Sequence, residues 1–204
     1  MISLRGGAFT ELVDGDQRHS VTNRQRVAES LGISPSWATV NQVHSGTAVT
    51  VSRSGDAGEG DGLITEEVGL PLALFVADCV GVVLHGRTAV GVAHAGWRGL
   101  RAGIVAEVAG LMAELGSPPE RAVAGPAIGP CCFEVGPEVA ELFEGHLGST
   151  TWGTTSVDLL SVAAGQLDVT LQKVGGCTRC GDGYFSHRGQ LTPMRMAAIG
   201  WLEP

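Results

Sequence analysis

A mixed α/β fold is expected for this chain on three grounds. The runs "LALFVA" (72–77), "VGVVLH" (80–85) and "AVGVAH" (89–94) are apolar at nearly every position, as strands buried on both faces are. Residues 100–115 then place Ile104, Val105, Val108, Leu111, Met112 and Leu115 on one stripe, the signature of an amphipathic helix laid on a sheet. The 204 residues suffice for one α/β domain with a sizeable core, spanning 1–204, and are too few for two ordinary ones.

The other elements follow in order. Val21, Val27 and Leu31 predict a helix over 21–31, stopped by Gly32. "WATVNQVH" after Pro35 reads as a strand ending on His44, and "TAVTVSRS" alternates like a half-buried strand. "SGDAGEGDG" (54–62) reads as a solvated, glycine-rich loop, since its acidic residues lack the ligand spacing of a calcium loop. Gly116 and Pro118-Pro119 close the helix over 100–115. "RAVAGPAI" is a further buried strand. Helices are expected over Pro137–His146 and over Asp158–Val174, the latter capped by Asp158. "MRMAAIGWL" gives a last strand.

Composition excludes several classes of function. With 44% hydrophobic and 17% charged residues, the chain is neither disordered nor a coiled coil. Its net charge of −8 and the lack of a basic run argue against nucleic acid as a partner. An anionic ligand therefore needs a local positive feature. The longest apolar stretch, "GLPLALFVA" (69–77), is half a membrane span, and the N-terminal residues do not pattern as a signal peptide. Five cysteines, two of them adjacent, do not suit a secreted disulfide framework, so a cytoplasmic location is expected.

Three metal-binding residue types fall at equivalent places. His44 closes one strand, Cys79 follows another, and His94 closes a third. Two imidazoles and a thiolate suit zinc and leave a fourth position open, the catalytic arrangement. The separations match no local zinc motif, so a buried cysteine with two unrelated histidines is the competing reading. "AGWRG" after His94 leads into a helix, where Arg98 and free backbone N–H groups favour an anion. Glycines on both sides of Trp97-Arg98 favour close approach of something to the backbone. Asn41 and Gln42 are candidates for orienting a ligand or His44. Cys177-Thr-Arg-Cys180 with Cys131-Cys132 is set aside as a four-thiolate site, because adjacent cysteines share one tetrahedral ion poorly. The zinc-deaminase signature, HExxH, G-x-S-x-G and the P-loop are absent. Six histidines without a His-x-His pair make copper oxidation a poor reading.

"NQVHSG", "ADCVGVVL", "GVAHAGWRGL", "GPAIGPCCFEVG" and "CTRC…YFSHR" occur in the order found in the YfiH-like family. The chain resembles that family from about Val21 to Arg188. The family is known as polyphenol-oxidase or laccase-domain proteins, purine nucleoside phosphorylases and peptidoglycan editing factors. The resemblance implies a four-layer α/β/β/α fold like the catalytic domain of cytotoxic necrotising factor. It also implies a zinc ion on the residues matching His44, Cys79 and His94. The chain departs from the family in its short N-terminal segment, in Gly81 where proline is common, and in the ending "FSHRGQLTPMR".

The leading expectation is a zinc-dependent purine nucleoside phosphorylase, with adenosine deamination as an accompanying activity. Cys79, His94 and Arg98 would be catalytic, and Arg98, Asn41 and Gln42 would bind phosphate and purine nucleoside. One alternative is a zinc or cysteine amidohydrolase editing peptidoglycan precursors, with Cys79 as nucleophile. Another is a non-enzymatic metal- or partner-binding module. Oligomeric state is not legible.

Overall fold

The computed structural model describes residues 1–203. In chain order, its elements open with β1 (Ile2–Leu4), β2 (Gly7–Phe9), α1 (Val21–Leu31), β3 (Ala38–Asn41), β4 (Ala48–Thr50), β5 (Gly55–Glu59) and β6 (Gly62–Thr65). The central part holds β7 (Leu72–Val76), β8 (Val80–His85), β9 (Val90–Ala95), α2 (Trp97–Arg101), α3 (Ile104–Glu114) and β10 (Arg121–Ala124). After these come α4 (Pro137–Ala140), β11 (Leu147–Ser149), β12 (Thr155–Val157), α5 (Leu159–Ala164), β13 (Leu171–Lys173), α6 (His187–Gln190) and β14 (Met196–Gly200). No helix among the described residues is long and apolar enough to cross a membrane.

The expected mixed α/β architecture is present as two six-stranded sheets, in the orders β1-β2-β14-β7-β3-β5 and β13-β10-β8-β9-β6-β4. Both mix parallel and antiparallel pairs: β7 runs antiparallel to β14 but parallel to β3. The apolar runs become β7, β8 and β9, buried at nearly every position. Phe9, Leu72, Leu74 and Ala198 of the first sheet pack with Leu63, Val83, Val92 and Val123 of the second. Val27 and Ala28 of α1 pack on Ala73, Phe75, Ala197 and Ile199 of the first sheet. Ile104, Val105, Val108 and Met112 of α3 pack with Val80, Val82 and Ala93 of the second. Each strand run therefore has apolar cover on both sides, and this is why it carries no polar alternation.

Several local expectations are corrected. The segment 54–62 is not simply a solvated loop, because β5 pairs parallel with β3 and Asp61 is fully buried. The helix expected over 100–115 is broken into α2 and α3 by Gly103, whose φ of +81° suits glycine. Gln166 bridges the break, donating from Nε2 to the Leu100 carbonyl (2.6 Å) while Oε1 accepts from the Val105 amide (3.2 Å). It satisfies backbone groups that the break leaves free. The helix expected over 158–174 ends at Ala164, and residues 171–173 instead form β13 beside β10. The Asp158 cap holds, with its carboxylate accepting from the Leu160 and Ser161 amides. The expected 137–146 helix is one α-turn followed by a 3-10 stretch with a non-helical Phe143.

Candidate metal centre and active site

The site forms where the two sheets meet at one end. β7 belongs to the first sheet and β8 to the second, and Ala77-Asp78-Cys79 carries the chain between them. Asp78 takes a positive φ of 83°, a strained conformation for a non-glycine residue. Its buried carboxylate is held from two sides, by the Thr178 hydroxyl (2.6 Å) and the Arg188 amide (2.6 Å). This turn presents the half-buried Cys79 thiol beside His94, near the end of β9.

His44 completes the group. It does not close a strand as expected: β3 ends at Asn41, and His44 sits in a loop with φ of 63°. Asp61 fixes that loop by accepting hydrogen bonds from the Val43 amide, the Ser45 amide and the Ser45 hydroxyl. The other Asp61 oxygen lies 2.7 Å from His94 Nδ1, so Nδ1 carries the proton and Nε2 is free for a metal. One buried carboxylate thus orders both imidazoles. Sequence reasoning missed Asp61, reading "GEGDG" as solvated. The local signal was an acidic residue between two glycines immediately before the apolar run "LIT".

The three ligand atoms lie within 4.8 Å of one another, with Cys79 Sγ 4.0 Å from His44 Nε2. A tetrahedral zinc ion with ordinary bond lengths brings nitrogen and sulfur ligands to roughly 3.6 Å apart. For the Cys79–His44 pair, a shift of a few tenths of an ångström closes the difference. Gly96 supplies an independent test of fit. A Cβ there would stand 2.9 Å from Cys79 Sγ and 3.0 Å from His44 Cδ2, inside the ligand group. A Cβ on Gly99 would press the Ser45 carbonyl at 3.1 Å. The glycines flanking Trp97-Arg98 therefore admit the metal-site residues and the loop behind them.

Electrostatics agree with the geometry. Burial alone would raise the Cys79 thiol, but the His94 charge and a His44 hydrogen bond pull it down to about 6. Burial likewise opposes charge on His94, yet the Cys79 thiolate and the Asp61 hydrogen bond raise it to about 9. Asp61 is held down at about 2 against its own burial by His94 and Ser45.

A pocket of about 330 Å³ opens over the trio. Its polar lining includes Arg18, Arg98, Arg188 and Arg195, with Asp78 as the one carboxylate. Arg98 lies in the pocket as expected, stacked over Trp97 at 4.2 Å. Its helix α2 has only five residues, so the cation outweighs any helix dipole. Arg18, Arg188 and Arg195 were not singled out from the sequence, because they come from segments 80 or more residues away from Arg98 on either side. Burial and the Arg18 charge lower the Arg195 pKa, as expected for cations gathered in one place. Gln42 lines the pocket, but its amide is spent on the Phe75 backbone at 2.9 and 2.8 Å. Asn41 does not line it. Asn41 stands exposed in β3, opposite Glu59 of β5.

The adjacency of Cys131 and Cys132 does not keep their sulfurs from one group. Cys131, Cys132, Cys177 and Cys180 converge with all four sulfurs within 4.8 Å. Among the described residues, these and the pocket trio are the two groups able to hold a metal.

The family model described as multi-copper polyphenol oxidoreductase laccase matches residues 9–203. The chain belongs to this family. A purine nucleoside phosphorylase of Streptomyces coelicolor is 38% identical over 93% of this chain and 85% of its own length. The crystal structure of a Bacillus licheniformis hypothetical protein, YfiH, superposes with a TM-score of 0.81 at 30% identity, covering 90% of this chain and 81% of that one. That of YlmD from Geobacillus stearothermophilus gives 0.78 at 33%, covering 90% and 80%. The YfiH-like membership expected from "HAGWRG" is thereby established. The oxidase in the family's description asks for several copper ions, whereas the YfiH-like pocket seen here offers three ligands, enough for one ion.

Proposed function

We propose that this chain is a zinc-dependent purine nucleoside phosphorylase acting through a single unit, residues 1–204, in a four-layer α/β/β/α arrangement related to the cytotoxic necrotising factor catalytic domain. The three apolar clusters support the layer reading. The observation that carries the function is the set of four arginines around a pocket with metal-ligand geometry at its floor, in an acidic protein. Such a pocket takes an anion locally against the overall field. The relatives named as purine nucleoside phosphorylases supply the substrate class.

His44, Cys79 and His94 would hold the zinc, with Asp61 setting the tautomer of His94. When bound, zinc supplies a Lewis acid with a net site charge of about +1 after the Cys79 thiolate is counted. Phosphorolysis breaks the bond between the purine and ribose C1′ and forms a C1′–O bond to phosphate. Arg98, Arg188 and Arg195 bind the phosphate and hold its oxygens toward the sugar. Phe75, Ala77, Trp97 and Phe133 give the purine apolar surface and keep water from the reacting centre. Adenosine deamination would use the same pocket with water adding at purine C6 instead of phosphate at ribose C1′, the C6–N bond breaking and ammonia leaving to give inosine.

One observation favours a second reading. A lowered Cys79 thiol beside a raised His94 is also the pair of a cysteine amidohydrolase. The deciding experiment measures free base and inosine from adenosine with and without phosphate, beside amide release from UDP-muramoyl peptides. Phosphate-dependent base release supports the phosphorylase. A zinc-loaded protein that releases no base and deaminates nothing sinks it, and amide release would install the second reading.

A further inference from the structure

The second cysteine cluster lies outside the pocket machinery, and its geometry is that of a closed metal site. Two turns build it. After β10, the Cys132 and Phe133 amides both donate to the Gly129 carbonyl at 2.9 Å, folding the adjacent pair into a tight turn. After β13, the Gly181 amide donates to the Cys177 carbonyl at 2.8 Å, bringing Cys180 back over Cys177. The turns dock through a bridge between Ala127 and Cys177, and through the Thr178 amide on the Ala127 carbonyl at 3.1 Å.

The sulfurs converge accordingly. Cys131 Sγ and Cys180 Sγ are 3.7 Å apart, and all four lie within 4.8 Å. A tetrahedron with zinc–sulfur bonds of about 2.3 Å has edges of roughly 3.8 Å. All five cysteines of the chain are free thiols, so no disulfide accounts for the approach. Packing does not account for it either: Cys132 is buried, yet the exposed Cys180 also faces the group. The Gly129 amide donates to Cys177 Sγ at 3.3 Å, an interaction that favours thiolate sulfur. Arg179, whose Nη1 donates to the Cys132 carbonyl at 3.1 Å, places a cation beside the anionic group.

We propose that Cys131, Cys132, Cys177 and Cys180 hold a structural zinc ion that clips the 131–134 turn to the segment carrying His187 and Arg188 into the pocket. Four protein ligands leave no open position, so the ion's role is to hold structure. The clipped segment is the one that meets the pocket. Thr178 and the Arg188 amide both grip Asp78, the residue before Cys79. Arg188 Nη1 donates to the Glu134 carbonyl at 2.9 Å, and its guanidinium lies 5.0 Å over Phe133. Zinc at the cysteines therefore fixes two pocket-lining groups, Phe133 and Arg188, relative to one another.

The test counts metal in the full chain, purified in reductant without a histidine tag and equilibrated with zinc. Wild type should carry two zinc ions, a His44→Ala/His94→Ala protein one, and a Cys177→Ser/Cys180→Ser protein one. X-ray absorption on the His44→Ala/His94→Ala protein should give four sulfurs at about 2.3 Å and no nitrogen. If the cysteine variant does not fold, cobalt loading of the His44→Ala/His94→Ala protein decides instead. One equivalent with sulfur-to-metal charge-transfer bands is expected. A folded His44→Ala/His94→Ala protein that takes up no metal overturns the site. So does a mixed nitrogen–sulfur shell, or fewer than five thiols titrating after unfolding with chelator and no reductant. Stripping this ion should speed tryptic cleavage at Arg179 and Arg188 by about tenfold or more, as a local opening loses its restraint. Unchanged cleavage overturns the clip.

Discussion

At the scale of single residues, Gly96 and Asp61 matter as much as the three candidate ligands they adjoin. Gly96→Ala puts a methyl group 2.9 Å from Cys79 Sγ, so the thiol has to leave its place. Zinc affinity at the pocket should fall at least tenfold while the melting temperature of the metal-free protein moves little, which chelator competition and calorimetry would check. Asp61→Asn removes the carboxylate that orients His94, and pocket zinc affinity should drop by about 10–100-fold. Its effect on stability has a definite sign. The folded pKa of Asp61, about 2, lies below its ordinary value of 3.8, so ionised Asp61 stabilises the fold above pH 4. That contribution is on the order of 2 kcal/mol, and it is lost as pH falls from about 4 through 2. Denaturant titrations of metal-free wild type and Asp61→Asn should diverge at pH 7 and converge near pH 2. Arg98→Ala should weaken apparent phosphate affinity about tenfold, a loss on the order of 1.4 kcal/mol. Arg188 and Arg195 remain in the pocket to limit the damage. Arg98→Lys should recover part of it, because an ammonium cannot grip two oxygens in a plane. Phosphate dependence unchanged in Arg98→Ala would make Arg98 a structural residue stacked on Trp97.

Secondary-structure elements here are cut to fit the site. Most of the apolar stripe of 100–115 forms α3, but the chain breaks at Gly103 so that α2 can turn beneath the pocket loop. Gln166, 61 residues beyond Val105, seals the break with bonds to both sides. Gln166→Ala should cost about 1–2 kcal/mol, from backbone groups left without partners, and should not alter pocket metal content. Gly110 offers the opposite case. It lies inside α3 with open space where a Cβ would stand, so Gly110→Ala should stabilise the fold by roughly 0.5–1 kcal/mol. Chemical denaturation of the two variants checks both signs. The 100–115 helix was legible because its stripe is long. The break was not, because its stabilising partner lies in a segment whose own pattern reads as helix.

Across the whole molecule, the fold should not depend on a metal in the pocket. Three large apolar clusters bury most of the strand residues, so His44→Ala and His94→Ala should each lose the pocket zinc without unfolding. Metal uptake should be linked to protons with a predictable sign. In the metal-free protein His94 stays protonated up to about pH 9, whereas Cys79 is already thiolate above about 6. Zinc binding between pH 6 and 9 should therefore release the His94 proton, and below pH 6 the Cys79 proton as well. Affinity should weaken as the solution is acidified. Titration calorimetry in buffers of different ionisation enthalpy measures the count, and a proton-neutral uptake at pH 7.5 would contradict the assignment of His94.

The mixed α/β class, the buried strand runs and the Asp158 and Gly32 caps were legible in the residues alone, and the convergence of His44, Cys79 and His94 was legible from their residue types together with the resemblance carried by strings such as "HAGWRG". Each rests on a local pattern: apolar runs, a capping residue, or a metal-binding residue type in a specific short string. The partners of those residues became visible in the packed molecule alone. Asp61, Arg18, Arg188, Arg195 and the meeting of Cys131-Cys132 with Cys177 and Cys180 join segments far apart in the chain. Asn41 and Gln42 show the same limit from the other side. Adjacent in sequence, they part because Asn41 stands exposed at the register position of Glu59 while the Gln42 amide is consumed by the Phe75 backbone. Hydrophobic periodicity records which face of an element is covered. It carries no record of which distant polar group arrives there, because that depends on how two sheets, each assembled from strands out of sequence order, are brought together.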